Sequence, residues 1–180
     1  MRFNRLWKAC HFRKEKYGNV IDISHASDEL FYDVANQTNK PFIATHSNSR
    51  TVTRNPRNLT DEQIKIIISR GGIIGLNLHN AFLNNNPDKA CTEDILRHCE
   101  YMLSLGCENF LCFGTDFDGC DLPKDIVGSD SIGGIYELFL KNNYNESILK
   151  KIFYENAYKF FENFDNQRIM SVSYTHLTLP

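Results

Sequence analysis

Repeated strand and helix units predict an α/β chain built on a parallel sheet, and three observations carry that reading. Four short apolar runs rich in β-branched residues start near residues 20, 41, 73 and 109, at separations of 21, 32 and 36 residues. Between them lie segments with apolar residues at helical spacing, opened by capping residues and closed by glycine. The pattern is that of a parallel barrel, a fold that usually takes about 250 residues, so a chain of 180 residues accommodates about four strand-helix units.

The first unit follows Gly18. Asn19-Val20-Ile21-Asp22-Ile23-Ser24 reads as a strand, and Ser27-Asp28-Glu29 opens a helix with Leu30, Phe31 and Val34 on one side. In the second, Pro41 introduces the strand Phe42-Ile43-Ala44-Thr45. A polar loop then leads to Thr60-Asp61-Glu62-Gln63, a capping box ahead of Ile64, Ile67 and Ile68, with Gly71-Gly72 as the stop. The third strand, Ile73-Ile74-Gly75-Leu76-Asn77-Leu78, precedes an Asn-rich loop and a helix from about Thr92 to Gly106 that carries Ile95, Leu96, Cys99, Met102 and Leu103. The fourth, Asn109-Phe110-Leu111-Cys112-Phe113, runs into Gly114-Thr115-Asp116-Phe117-Asp118-Gly119, and two helices are expected near Ile132 to Lys141 and Glu146 to Phe161.

Composition sets the class. A chain with 42% hydrophobic and 12% aromatic residues can bury a core. Twenty Lys and Arg against 22 Asp and Glu, with no long run of either sign, disfavour nucleic-acid or anionic-membrane binding. The apolar runs fall far short of the roughly 20 residues of a membrane span, and the charged first 20 residues do not read as a signal peptide. Six cysteines without a C-x-x-C pair are expected to be reduced thiols of a cytoplasmic protein. Ser171 to Pro180 lacks any charged residue and continues no periodic pattern, so it is read as non-native, together with His176.

Sites in parallel α/β sheets lie at the carboxyl ends of the strands, which directs attention to His25, His46, Asn77 or His79, and Asp116. Neighbouring parallel strands lie about 4.8 Å apart, so His25 and His46, each ending a strand, can share a metal ion. Hydrogen-bonded structural histidines satisfy the same pattern. Asp116, nearer its strand end than Asp118, suits a general base, a metal ligand or a clamp on a substrate amine, whereas Asp118 beside Gly119 suits turn chemistry. Of the loop arginines, Arg50 and Arg54 read as solvated charge, and Arg57, placed just before the Thr60 cap, suits either solvation or a bidentate grip on a carboxylate. Cys107, Cys112, Cys120 and His98 match no compact zinc spacing.

Together, Ile21-Asp22-Ile23-Ser24-His25-Ala26-Ser27, then Ile43-Ala44-Thr45-His46-Ser47-Asn48-Ser49 with Arg57-Asn58 downstream, then Gly114-Thr115-Asp116-Phe117-Asp118-Gly119 resemble the membrane dipeptidase (renal dipeptidase) family of zinc peptidases over roughly residues 17 to 163. The resemblance implies a (β/α)8 TIM-type barrel of the metal-dependent hydrolase kind with a two-zinc centre. It also implies hydrolysis of dipeptides through metal-activated hydroxide, often with tolerance for a D-residue on the carboxyl side. By the same resemblance His25 and His46 are metal ligands, Arg57 binds the substrate carboxylate, and Asp116 contacts the substrate amine and assists proton transfer to the leaving group.

The chain departs from that family pattern at the other ligands. It contains no His-x-Asp pair, and Glu15, in the charged run His11 to Lys16, does not supply the expected strand-end glutamate. The residues retained correspond to the second half of the barrel: a poorly matching segment 1–16, a half-barrel domain 17–163 and a tail 164–180. A half barrel leaves strand edges unpaired, so a complementary amino-terminal half or a homo-oligomer is the expected partner. Two readings of function follow: a zinc dipeptidase fragment active when the missing half is supplied, or an inactive relic that binds a dipeptide-like ligand without turnover.

Overall fold

The computed structural model describes residues 19–164. The segment 1–16, with Glu15 and Cys10, and the tail beyond residue 164, with the stretch read as non-native, lie outside the described residues.

Four strand-type segments line up in chain order, all parallel. Asp22 bridges Ile43, Ala44 bridges Ile74, and the regular strands β1 (Ile74–Leu76) and β2 (Leu111–Phe113) pair Ile74 with Leu111, Gly75 with Cys112 and Leu76 with Phe113. The ladder continues between segments: Ile23 N–H donates to Ile43 O (2.9 Å), Gly75 N–H to Ala44 O (2.8 Å) and Gly114 N–H to Leu76 O (3.0 Å). The first two segments pair only through isolated bridges, and the regular strands are three residues long, shorter than the sequence suggests. Near the strand ends backbone and side-chain bonds alternate: Ser47 N–H still donates to Gly75 O (2.7 Å), whereas His46 N–H donates to Ser24 Oγ and Asn77 N–H to Asn48 Oδ1.

Each segment is followed by helix. Helix α1 (Asp28–Gln37) is capped by the Ser27 hydroxyl, which accepts from Leu30 N–H. Helix α2 (Asp61–Ser69) starts with the expected reciprocal box between Thr60 and Gln63 and stops at Gly71, whose φ of 74° suits a residue without Cβ. A short α3 (Asn80–Leu83) follows β1. Helix α4 (Thr92–Ser104) ends before Gly106, at φ 92°. After β2 come α5 (Ile132–Lys141) and α6 (Glu146–Lys150). A π-helical turn, Lys151–Glu155, leads into α7 (156–164). The sequence expected one uninterrupted helix there.

Alternation along the strands separates two faces. Ile23, Phe42, Ala44, Ile74, Leu76 and Leu111 pack into the main core with Phe31, Val34, Ile64, Ile67, Ile95 and Phe139 from the helices. On the opposite face Ile43, Ile73 and Cys112 form a smaller cluster, and Phe160 of α7 packs against it. The buried Asn156 donates its amide to Leu111 O (2.8 Å) and Glu108 O (2.9 Å), tying the start of α7 to β2. Above that cluster the same face carries Asp22 and Thr45, both exposed, and leads to the polar strand ends.

Among the described residues no helix is long and apolar enough to cross a membrane. The cysteines there, Cys91, Cys99, Cys107, Cys112 and Cys120, are free thiols.

Candidate active site

The strand ends gather one cluster of charged and polar groups. The Nε2 atoms of His25 and His46 stand 3.0 Å apart, with their rings tilted at 61°. Behind His46, Thr45 Oγ1 lies 2.8 Å from its Nδ1 and 2.5 Å from Asp22 Oδ2. Asp22 Oδ1 accepts from Ser24 N–H (3.0 Å), Ser24 Oγ (2.7 Å) and Thr45 N–H (3.1 Å), and Ser24 Oγ accepts from His46 N–H (3.1 Å). Desolvation pushes the Asp22 carboxyl upward, but the bonds from Thr45 and Ser24 outweigh it and hold the group below its ordinary value. His46 is shifted down, chiefly by desolvation; Asp116 and Asp22 oppose the shift, while His25 and Arg57 add to it. The imidazole is therefore biased toward its neutral, ligand-competent form.

Asp116 occupies a left-handed backbone conformation, φ 58°, uncommon for residues with a side chain but one that Asp adopts more readily than most. Its Oδ2 accepts from Asn77 Nδ2 (3.2 Å), and its carbonyl accepts from Gly119 N–H (3.0 Å). The orientation of Asn77 is fixed because its Oδ1 accepts from His79 N–H (2.5 Å), which leaves the amide to face Asp116. Asn77 in turn is locked to Asn48, whose amide donates to Asn77 O and whose Oδ1 accepts from Asn77 N–H, both at 2.9 Å. Of the two strand-end candidates here, Asn77 reaches Asp116, and His79 is held at Asp121 O (3.0 Å). Asp118 lies in the exposed turn that follows.

Arg57 projects from the loop after His46 with its guanidinium 5.4 Å from the Phe82 ring centroid. Desolvation lowers its pKa, against the opposing charges of Asp116 and Asp22. That loop is anchored from beneath. The Asn58 amide donates to Thr53 O (3.0 Å) and Phe82 O (2.9 Å). The buried His98 ring accepts from Ser49 N–H at Nδ1 and meets Leu83 O and Thr53 Oγ1 through Nε2, each at 3.2 Å. Burial drives the His98 pKa down to about 4, so this ring is a neutral structural brace.

Arg50 corrects the reading of solvated charge. Its NH1 and NH2 grip the Asp28 carboxylate, both at 2.8 Å, and it also donates to Asn58 O and Pro56 O. It clamps a carboxylate of its own chain and ties the loop to α1. The sequence offered no means of naming the partner, which lies 22 residues earlier. Cys107 and Cys112, each pushed up to about 12 by burial, behave as core thiols.

The sequence thus placed His25, His46, Arg57 and Asp116 in one neighbourhood, and the structure brings them there. It named Asn77 only as an alternative to His79, and it missed Asp22 and Thr45, which hold His46. The only available signal was their position one to three residues from the chosen histidines or at the same strand-end level.

The chemistry of the donor set gives a partial fit to zinc. Two nitrogens bound to one tetrahedral zinc ion at 2.0–2.1 Å sit about 3.3 Å apart, and the His25–His46 spacing of 3.0 Å is close to that. Among the described residues no further His, Cys, Asp or Glu joins them to make a group of three. His25 and His46 fit the imidazole half of a metal site, and no hydrolytic step is derived from the described residues alone.

Comparisons with known proteins identify the family. The profile of membrane dipeptidase (peptidase family M19) matches residues 8–172. An uncharacterized protein from the pqqA 5' region of Klebsiella pneumoniae is 33% identical over 147 residues, covering 79% of this chain and 54% of that protein. The crystal structure of dipeptidase AC, a family M19 metallopeptidase, superposes with a TM-score of 0.80 at 31% identity over 88% of this chain and 47% of its own. A Rhodobacter sphaeroides metallopeptidase, solved with a phosphinate mimic of the dipeptide L-Ala-D-Ala, gives 0.79 at 31% identity, covering 88% and 45%. The chain spans about half the length of the relatives it matches. The motifs around His25, His46 and Asp116, the profile match and the superpositions converge: the chain belongs to the membrane dipeptidase family, peptidase family M19.

Proposed function

We propose that this chain is the carboxyl-terminal half of a zinc dipeptidase, four strand-helix units of an eight-stranded barrel. It hydrolyses dipeptides when polypeptide outside the described residues completes the metal centre. The observation that carries the reading is the His25–His46 pair, two imidazole nitrogens facing each other at the strand ends with Asp116 and Arg57 in electrostatic reach.

In this reading His25 and His46 hold the ion through Nε2. Bound zinc supplies Lewis-acid polarisation of the peptide carbonyl and a water acidic enough to react at neutral pH. The remaining work falls to side chains of this chain. Arg57, its guanidinium steadied by Phe82 and its loop by Asn58 and His98, binds the terminal carboxylate and sets the dipeptide's reach into the site. Asp116, held through Oδ2 by Asn77, receives the substrate ammonium and carries a proton to the departing amine. The phosphinate dipeptide mimic bound by the Rhodobacter relative makes L-Ala-D-Ala the first substrate to test.

The test is coexpression with the amino-terminal half of that relative, purification of the coeluting pair, and assay of L-Ala-D-Ala hydrolysis with zinc. Turnover that a chelator removes and His46→Ala abolishes is the expected result. A zinc-loaded complex without turnover contradicts it. Dipeptide binding insensitive to chelator favours the alternative of a non-catalytic binding module.

A further inference from the structure

We infer that Asp22 is a positioning residue that acts through the Thr45 hydroxyl to fix His46 in the tautomer protonated at Nδ1, turning an unprotonated Nε2 toward His25. The inference rests on the proposed role of His46 only for its purpose, because the tautomer is set in the metal-free chain.

The argument is a count of protons. A carboxylate accepts and never donates. Asp22 accepts four hydrogen bonds: at Oδ1 from Ser24 N–H, Ser24 Oγ and Thr45 N–H, and at Oδ2 from Thr45 Oγ1 at 2.5 Å. Thr45 Oγ1 also lies 3.1 Å from Ser24 Oγ, but the charged carboxylate oxygen at 2.5 Å is the stronger acceptor and takes the single hydroxyl proton of Thr45. Thr45 Oγ1 has only lone pairs left for His46 Nδ1, 2.8 Å away, so the proton of that bond belongs to the ring nitrogen. The Ser24 proton is likewise committed to Oδ1, which leaves its oxygen to accept from His46 N–H. One carboxylate on the first strand thus orders both the backbone and the ring of a residue on the second.

Thr45 is itself held from the other side. A Cβ built on Gly75 or on Gly114 would overlap the Thr45 carbonyl oxygen, so both glycines are needed for that backbone to sit where it does. With Nε2 of His46 unprotonated, His25 donates its own Nε2–H across the 3.0 Å gap when no ion is present, and the His46 nitrogen that faces His25 carries a lone pair rather than a proton.

Nitrogen-15 NMR of histidine-labelled chain, at a pH where His46 is neutral, reads the tautomer directly. The expected result is an Nδ1–H signal for wild-type His46. It should reverse or become mixed in Asp22→Asn, whose amide presents a donor and releases the Thr45 proton, and in Thr45→Val, with recovery in Thr45→Ser. His98, held by separate partners, reports retained folding through an unchanged signal. If Asp22→Asn disturbs His98, the Thr45→Val and Thr45→Ser pair decides. Wild-type His46 protonated at Nε2, or variants that keep Nδ1–H, would overturn the inference. Addition of zinc separates it from the functional reading: affinity roughly 10- to 100-fold weaker in Asp22→Asn supports it. A fixed tautomer with no zinc bound leaves this inference standing and removes the metal role of His46.

Discussion

Asn77 Nδ2 donates to Asp116 Oδ2 across 3.2 Å, so the third strand end holds the acidic side chain of the fourth. Through Asn48 the same contact reaches the loop that follows His46, which makes the carboxylate's position a property of three segments at once.

Replacement of Asn77 by Ala removes the donor to Asp116 and the acceptor for His79 N–H. Unfolding free energy should fall by about 1–2 kcal/mol in urea titrations. In the assembled enzyme kcat should fall more than KM rises, since a proton-transferring carboxylate is misplaced while the carboxylate clamp is intact. An unchanged kcat would separate Asn77 from Asp116.

Gly114→Ala sets a methyl group against the Thr45 carbonyl oxygen. Overpacking of this kind costs about 1–3 kcal/mol. Because the displaced residue adjoins His46, the His25–His46 contact should be lost along with stability, visible as a shift of both imidazole signals. A variant that loses stability with the pair unmoved would limit the role of Gly114 to packing.

His98 links folding to pH. Its folded pKa of about 4 lies below the ordinary value of 6.5. Between those values the unfolded chain binds the proton and the folded chain does not. Stability contributed by neutral His98 is therefore complete above about pH 6.5 and is lost as pH falls toward 4, by about 3 kcal/mol in all. Urea midpoints should decline over that window, and the decline attributable to this residue should be absent in His98→Gln.

Arg57→Lys keeps the charge and removes the planar fork. In the assembled enzyme KM for a dipeptide should rise roughly 10- to 100-fold with a smaller change in kcat, the range expected for a charge-assisted bidentate contact. Equal KM values would move the carboxylate contact elsewhere.

Local signals in the sequence were strong, and the distant ones were weak. The Ser27 cap, the Thr60–Gln63 box and the stops at Gly71 and Gly106 are short-range devices, legible because each is completed within a few residues. Strand lengths were overread because Ile73 to Leu78 is apolar apart from Asn77, while the regular pairing covers only Ile74 to Leu76. The π-helical turn at Lys151–Glu155 leaves the apolar period almost unchanged and gave no signal. In the site, strand-end logic located His25, His46 and Asp116. The Thr45 partner of Asp22, the Asp28 partner of Arg50 and the Ser49 partner of His98 lie 22 to 49 residues away, beyond any periodicity. Asp22 read as one more residue of a strand, and only the fold turned it toward Thr45.

The central claim is that His25 and His46 are two ligands of one metal ion. Titration of the histidine-labelled chain with zinc, followed by nitrogen-15 NMR, tests it most directly. The account predicts that the Nε2 signals of both residues shift together, with one shared affinity and a stoichiometry of one ion, while His98 is unmoved. Separate affinities, or a response of only one of the two rings, would contradict it.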